Sequence, residues 1–217
     1  SVLQVEKIVV GLMRTNCYVI KDRDTSKFAI IDPGHRAKKL DEKLNEYGFE
    51  NCEYILLTHG HFDHILAAKD YRDLTHAKIV IPKIEENFTK DANLNLSSNL
   101  TRVKIESFDA DIFLNDLDTI MLGNTKITLI NTPGHTVGSS CYIADDMLFS
   151  GDTLMKDTIG ATNFETGNYD DMIKSLKRIG NLKGNYKVFP GHGELTTLDY
   201  ERNNNIYLGK INYEDIY

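Results

Sequence analysis

The stretch Thr58-His59-Gly60-His61-Phe62-Asp63-His64 decides the fold of this chain. It places three imidazoles and one carboxylate within six residues, directly after the apolar run Tyr54–Leu57. Because such a run predicts a buried strand, we expect the cluster at the carboxyl end of that strand. Imidazole and carboxylate are ligands for zinc, iron and manganese. The stretch therefore predicts a metal site, and a turn can aim two of its side chains one way and two another.

Further candidate ligands come later in the chain, each after an apolar run and beside a glycine. They are His135 in Thr132-Pro133-Gly134-His135-Thr136, Asp152 in Ser150-Gly151-Asp152-Thr153, and His192 in Pro190-Gly191-His192-Gly193. Glycine lets the backbone approach a ligand closely. Four ligands cannot saturate two metals, so these three residues are the expected completion of the site. Five of the seven histidines then belong to one pattern.

Turn chemistry and hydrophobic periodicity predict an α/β layered fold with mixed sheets. Three of the four prolines (Pro33, Pro133 and Pro190) follow β-rich runs and precede a glycine, which is typical of turns at strand ends. Short β-branched runs predict further strands at Leu3–Val10, Cys17–Lys21, Tyr54–Leu57, Lys78–Ile81, Thr119–Leu122, Lys126–Asn131, Ser140–Ala144 and Met147–Ser150. Helical spacing predicts helices over Ala37–Tyr47, Ile65–Tyr71, Tyr169–Ile179 and Thr197–Leu208, and we expect an ordered loop over Asp91–Asp111.

The composition excludes several classes of protein. The chain is 41% hydrophobic and 26% charged, which predicts one soluble globular domain over residues 1–217. A net charge of -7 argues against sequence-blind binding of nucleic acid. No apolar run reaches the ~20 residues of a membrane helix, and Ser1–Val10 does not resemble a signal peptide. Cys17, Cys52 and Cys141 suit neither a disulfide framework nor a zinc knuckle, so we expect buried thiols in a cytoplasmic protein.

The order of these motifs resembles the metallo-β-lactamase superfamily. HxHxDH is followed by a PGHT loop, a GD turn and a GH turn, and the resemblance runs over nearly the whole chain. Within the superfamily the chain looks most like the short bacterial branch of the hydroxyacylglutathione hydrolase (glyoxalase II) group, through Gly191–Thr197, Glu201-Arg202 and Asn205. The resemblance implies a four-layer αββα sandwich with two mixed sheets and a two-metal site at one edge.

The resemblance also implies how the ligands divide between two divalent metals, with zinc expected and iron or manganese as alternatives. The first metal would take His59, His61 and His135, the second would take Asp63, His64 and His192, and Asp152 would bridge both. A water between two such cations loses its proton near neutral pH and can attack a carbonyl carbon. Asp63 and Asp152 are therefore the expected catalytic residues.

The resemblance implies an acyl thioester as the small-molecule substrate. The net charge of -7 and the shortness of the apolar runs predict neither nucleic acid nor membrane as a partner. Glyoxalase II enzymes carry a basic residue for the carboxylate of glutathione in the loop after GDTL. Ala161 stands at that place, so the identity of the thiol stays open. The candidates for contact with substrate are His35, Lys156 and Asn163.

Other activities of the same fold remain as alternatives. A mono-iron persulfide dioxygenase shares His59, His61 and His135. A lactonase or a phosphodiesterase such as an RNA-processing nuclease could use the whole ligand set. Gly60 argues against a flavo-diiron protein, in which we expect Glu at that position. A true β-lactamase is disfavoured because we expect Cys where Asp152 stands. A non-enzymatic scaffold is disfavoured because every ligand position is intact.

Overall fold

Two mixed six-stranded sheets form the centre of the computed structural model, which describes residues 3–100 and 105–209. In the first sheet the strands lie in chain order; the first two pairings are antiparallel and the other three are parallel. Its strands are β1 (Leu3–Val10), β2 (Thr15–Asp22), β3 (Phe28–Ile31), β4 (Cys52–Leu56), β5 (Lys78–Pro82) and β6 (Ile112–Leu114).

The second sheet has one parallel pairing, between β10 and β13, among antiparallel ones. In spatial order it contains β14 (Thr196–Thr197), β13 (Lys187–Pro190), β10 (Met147–Gly151), β9 (Ser140–Ala144), β8 (Thr125–Asn131) and β7 (Thr119–Leu122). A separate ribbon pairs β11 (Leu154–Met155) with β12 (Thr158–Ile159).

The helices are short. They are α1 (Lys38–Tyr47), α2 (Phe62–Ile65), α3 (Ala68–Thr75), α4 (Ser97–Leu100), α5 (Tyr169–Gly180) and α6 (Leu198–Asn204), with 3-10 turns at Phe49–Asn51 and Lys83–Thr89. Within residues 3–100 and 105–209, no helix combines the length and the apolar character that a bilayer crossing requires.

Strand β3 shows how the first sheet serves two apolar layers. Its four residues are all buried, and successive side chains point to opposite faces. Phe28 and Ile30 pack in the outer layer with Leu40 of α1. Ala29 and Ile31 pack instead in the layer between the two sheets. A strand buried on both faces is apolar at every position, which explains the continuous run before Pro33.

A third apolar layer lies on the outer face of the second sheet. Met172 and Leu176 of α5 pack there against Leu148 of β10 and Val188 of β13. The first apolar layer lies between the first sheet and the helices α1 and α3, and the second lies between the two sheets. The third lies between the second sheet and the helices α5 and α6. The four-layer αββα prediction is therefore confirmed.

The structure corrects the predicted elements at three places. The segment Asp91–Asp111 contains α4, and its residues 101–104 lie outside the described part of the chain. The helix predicted over Ile65–Tyr71 is divided: α2 ends at Ile65, and α3 begins at Ala68 and continues to Thr75. The helix predicted over Thr197–Leu208 is interrupted at Asn205, whose side-chain amide bonds Glu201 and the carbonyl of Thr158.

A buried glutamate joins the loops of the two sheets. Glu85 accepts hydrogen bonds from the backbone N–H of Gly60 at 2.8 Å, from that of Gly138 at 2.9 Å and from the Thr136 hydroxyl at 3.2 Å. Burial raises the pKa of Glu85 to about 7, although these three hydrogen bonds oppose the rise. The loop after β4 and the loop between β8 and β9 are thus held together by one carboxyl group.

Replacing this carboxyl, Glu85→Gln, is expected to destabilise the protein by about 1–3 kcal/mol, because an amide N–H would face one of the two backbone donors. The folded-state pKa lies above the ordinary 4.5, so the contribution of Glu85 to stability is present below pH 4.5 and is lost as pH rises through about 7. Urea unfolding of metal-free protein between pH 5 and 8 should therefore show wild type losing stability relative to the variant. The exposed neighbour Glu86→Gln is the control, and a constant difference between wild type and Glu85→Gln would contradict this account.

Candidate metal centre

The candidate ligands converge at one edge of the two sheets. The parallel register of β10 and β13 places Gly151 opposite Pro190, so Asp152 and His192 follow side by side. The loop after β4 brings its cluster to the same edge, and the loop between β8 and β9 brings His135. His59, His61, His64, His135 and Asp152 are buried, whereas Asp63 and His192 are partly exposed.

One group of ligand atoms consists of three imidazoles. One ring nitrogen from each of His59, His61 and His135 can be chosen so that the three lie within 4.8 Å of one another. His61 Nδ1 lies 3.0 Å from His135 Nε2. His59 Nε2 is buried and makes no hydrogen bond to any described residue. Because a buried nitrogen without a partner is costly, this group suits a cation that would satisfy all three rings.

The second group mixes carboxylates and imidazoles. Ligand atoms of Asp63, His64, Asp152 and His192 lie within 4.8 Å of one another. His192 Nε2 lies 3.1 Å from Asp63 Oδ2, and His64 Nε2 lies 3.2 Å from Asp152 Oδ1. His64 Nε2 and Asp152 Oδ1 are buried and make no hydrogen bond within the described ranges. This donor set also suits a divalent transition metal.

Asp152 lies between the two groups. One oxygen, Oδ2, is 3.2 Å from His135 Nε2 and 3.8 Å from His59 Nε2. The other, Oδ1, is 3.2 Å from His64 Nε2. A single carboxylate can therefore contact cations in both groups, which is the arrangement implied by the resemblance.

The electrostatic environment differs between the groups. Burial lowers the pKa of His61 to about 3 and that of His59 well below its ordinary value, so both rings are neutral. Although burial opposes it, Asp152 and the other nearby carboxylates raise the pKa of His64 well above its ordinary value. Burial alone would raise the pKa of Asp63 and Asp152, but the His64 ring holds both carboxyls below the ordinary range. The negative charge of the site therefore lies in the second group.

Asp32, which the sequence reasoning missed, orients His64. Its Oδ2 accepts a hydrogen bond from His64 Nδ1 at 2.8 Å and one from the Thr58 hydroxyl at 2.7 Å. Its Oδ1 accepts from the Thr58 N–H at 2.9 Å. With Nδ1 occupied, His64 presents Nε2 to the site. The available signal was the acid that ends an apolar strand in Ile31-Asp32-Pro33-Gly34.

His135 is oriented by a backbone group. Its Nδ1 lies 2.6 Å from the carbonyl oxygen of Ala161, which leaves Nε2 facing Asp152. The side chain of Ala161 is exposed. Residue 161 therefore serves the site through its main chain, whatever its side chain does for substrate.

Gly191 is required by close packing behind the second group. A Cβ atom at this position would lie 2.4 Å from Asp152 Oδ1 and 2.8 Å from His64 Cε1. Both distances are far shorter than van der Waals contact. The expectation that glycine permits a close approach of backbone to the ligands is met here.

The candidates for contact with substrate lie at different distances from the ligands. His35 is exposed and lines a cavity together with Asp63, and its Nδ1 lies 2.8 Å from the carbonyl of Arg36. Lys156 makes an ion pair with Glu194 at 2.8 Å. Asn163 is exposed, and no contact described for it reaches a ligand.

Phe164, one residue further along, was missed and does reach the ligands. Its ring centroid lies 5.9 Å from that of His61 and 6.3 Å from that of His135. The ring is 36% exposed. Phe164 thus forms an apolar wall beside the three-histidine group, and no motif in the sequence marked it.

Comparisons with known proteins agree with this architecture. Residues 10–192 match the family described as the Metallo-beta-lactamase superfamily. The probable polyketide biosynthesis zinc-dependent hydrolase BaeB of Bacillus velezensis is 33% identical over 196 residues, covering 88% of this chain and 80% of that protein. The hydroxyacylglutathione hydrolase GloC of Haemophilus influenzae is 30% identical over 210 residues, covering 95% of this chain and 98% of that protein.

A solved structure shows the same likeness. The BLEG-1 B3 metallo-β-lactamase aligns with a TM-score of 0.88 and 33% identity over 94% of this chain and 99% of that one. Three observations lead to one conclusion. The family match covers most of the chain, relatives of 30% identity or more match along nearly its full length, and the structure has two adjoining groups of side chains that could bind metal. The chain belongs to the metallo-β-lactamase superfamily of metal-dependent hydrolases.

Proposed function

We propose that this protein is a thioester hydrolase of the glyoxalase II type that uses two divalent metals. The observation that carries the proposal is the Asp152 carboxylate, whose oxygens lie 3.2 Å from ring nitrogens of both ligand groups. Such a carboxylate suits a pair of neighbouring cations. The 30% identity with GloC over 98% of that protein supports the thioester as substrate.

In this proposal every predicted ligand binds metal. His59, His61 and His135 hold the first metal, Asp63, His64 and His192 hold the second, and Asp152 contacts both. When bound, two divalent cations lower the pKa of water and polarise a carbonyl group. Zinc is the expected metal, with iron or manganese as alternatives, because this donor set accepts all three.

The protein side chains orient and shield the reaction. In the metal-free protein His64 lowers the pKa of Asp63 and Asp152, so both carboxyls are ionised and available as ligands. Asp63 is partly exposed at the edge of the site and can accept a hydrogen bond from the attacking water. Phe164 limits water on the side of the first group. The reaction adds water across the thioester, breaks its C–S bond and releases a carboxylic acid and a thiol.

Removing the shared carboxylate by Asp152→Ala should abolish thioester hydrolysis, with a loss of more than ~100-fold, because both metals lose a ligand. Initial rates with S-D-lactoylglutathione and the metal content per chain are the measurements. The control is Asp146→Ala, an exposed acid before the other end of β10. Full activity in the Asp152 variant, or no thioester hydrolysis by metal-loaded wild type, would show the proposal to be wrong.

Changing the partner of His64, Asp32→Asn, should weaken metal binding by about 10–100-fold, because an amide cannot accept all three hydrogen bonds that reach the carboxylate. Competition with a chelator of known affinity measures the change. Asp22 is buried in β2 at the end farthest from the metal centre, so Asp22→Asn controls for the loss of a structural carboxylate. Equal metal affinity in the two variants would argue against the orienting role of Asp32.

Hydrolysis of β-lactams is a second candidate function, favoured by the 33% identity with BLEG-1 over 94% of this chain. A substrate panel should therefore contain acyl thioesters, a β-lactam, a homoserine lactone, bis-p-nitrophenyl phosphate and glutathione persulfide. We expect the highest kcat/KM for a thioester with two metals per chain. Turnover of another substrate without any thioester hydrolysis would replace this proposal, and a single iron with persulfide oxidation would indicate a dioxygenase.

A further inference from the structure

A hairpin turn divides the entrance to the metal centre. It connects β1 with β2 and is closed by a hydrogen bond of 3.2 Å from the Arg14 N–H to the Gly11 carbonyl. At its tip Leu12 is fully exposed, with a relative exposure of 101%, and Met13 is 53% exposed. These two neighbouring side chains form an exposed apolar surface that a ligand could cover.

The base of the hairpin is attached to both sides of the second ligand group. The Thr15 hydroxyl donates to the carbonyl of Asp63 at 2.8 Å. The Asn16 side-chain amide donates to the carbonyls of Pro190 at 3.0 Å and Gly193 at 2.8 Å. The turn is therefore held at a set position between the segments that carry Asp63 and His192.

On the Asp63 side of the turn lies an apolar cavity of about 100 Å³. Its walls include Leu12, Met13, Phe62 and Leu66, and Asp63 also borders it. The cavity thus begins at a candidate metal ligand and continues along aliphatic and aromatic surface. An alkyl or acyl chain that entered it would cover the exposed tip of the hairpin.

On the His192 side of the same turn lies a groove of about 400 Å³ with basic residues. Lys7 and Arg14 line it together with His192 and Glu194. The charge of Glu194 is offset by its ion pair with Lys156 at 2.8 Å. Within the described ranges, neither Lys7 nor Arg14 forms an ion pair within 4.0 Å, although Lys156 and, to a smaller extent, the charge of Lys7 lower the pKa of Glu194. The groove therefore has two cationic groups available for an anion.

We propose that the substrate is a thioester with an apolar acyl group and an anionic thiol: the acyl group occupies the cavity, and Lys7 and Arg14 bind the anionic group of the thiol. This inference rests on the proposed function and names its substrate class. It also accounts for the absence of a basic side chain at residue 161. In this proposal Lys7 and Arg14, in β1 and the hairpin turn, bind the anion instead of the loop that follows β12. Carboxylates and phosphates share the required chemistry.

The thiol part is tested with one acyl group on three thiols: glutathione, coenzyme A and the neutral N-acetylcysteamine. Wild type should prefer an anionic thiol by about tenfold in kcat/KM, and added salt should reduce the preference. The double variant Lys7→Gln/Arg14→Gln should lose it through a higher KM. The matched control is Lys39→Gln/Lys126→Gln, which removes two exposed charges elsewhere and should keep the preference.

The proposed binding of the acyl group in the cavity is tested by Leu12→Asn, assayed with the octanoyl and acetyl thioesters of one thiol. The ratio of their kcat/KM values should fall by about tenfold, because the contact between the acyl chain and Leu12 is lost. Leu117→Asn, at another exposed turn, is the control. Circular dichroism and metal content verify that all variants are folded and loaded.

The outcomes separate the two proposals. Hydrolysis of all thioesters without preference, or a preference that survives in the double variant, overturns the substrate assignment alone. If wild type prefers the thioester of the neutral thiol, or the acetyl over the octanoyl thioester, the substrate assignment is likewise wrong. If wild type hydrolyses no thioester while it binds two metals, the proposed function fails and the substrate assignment fails with it. A preference for coenzyme A over glutathione that is lost in the double variant favours phosphate as the anion bound by Lys7 and Arg14. The reverse preference, lost in the same variant, favours carboxylate.

Discussion

The burial of Asp152 between imidazoles of both ligand groups is the constraint on which the rest of the structure depends. A carboxylate and several ring nitrogens are held away from water. Four of these atoms make no hydrogen bond to any described residue: His59 Nε2, His61 Nε2, His64 Nε2 and Asp152 Oδ1. Unpaired polar groups of this kind oppose folding unless a cation satisfies them. The apolar layers of the sandwich must therefore be stable enough to hold a polar cluster together at one edge.

Contacts between the two sheets provide this support. Glu85 connects the loop after β4 with the loop between β8 and β9. Asp32 fixes the His64 ring from the end of β3, and Asn16 connects the start of β2 with the loop after β13. Each polar side chain satisfies backbone groups in a loop that carries ligands, so the same hydrogen bonds position the site and close the open end of the sandwich.

The entrance to the site bears on the choice of substrate. The ligands are suited to a class of reaction, whereas the hairpin between β1 and β2 contributes surfaces of opposite character to its two sides. Aliphatic walls lie beside Asp63 and basic side chains lie beside His192. Because the hairpin is anchored through Thr15 and Asn16, these surfaces are held at defined positions relative to the ligands. In the proposed substrate complex the hairpin would select the substrate, and the candidate ligands would carry out the reaction.

Most of the fold, and the residues that converge as candidate ligands, could be predicted from the sequence, because they depend on local signals: apolar runs, turns with Pro-Gly, and histidines and aspartates at strand ends. The residues that act from a distance could not. Glu85, Asp32 and Phe164 belong to no spacing pattern, and their roles arise where segments 25 to 103 residues apart meet. The sequence by itself determined the αββα class and the chemistry of the ligands. Only the tertiary structure decided which atoms face one another, because side-chain orientation and the walls of the entrance depend on the packing of two sheets that are distant in the chain.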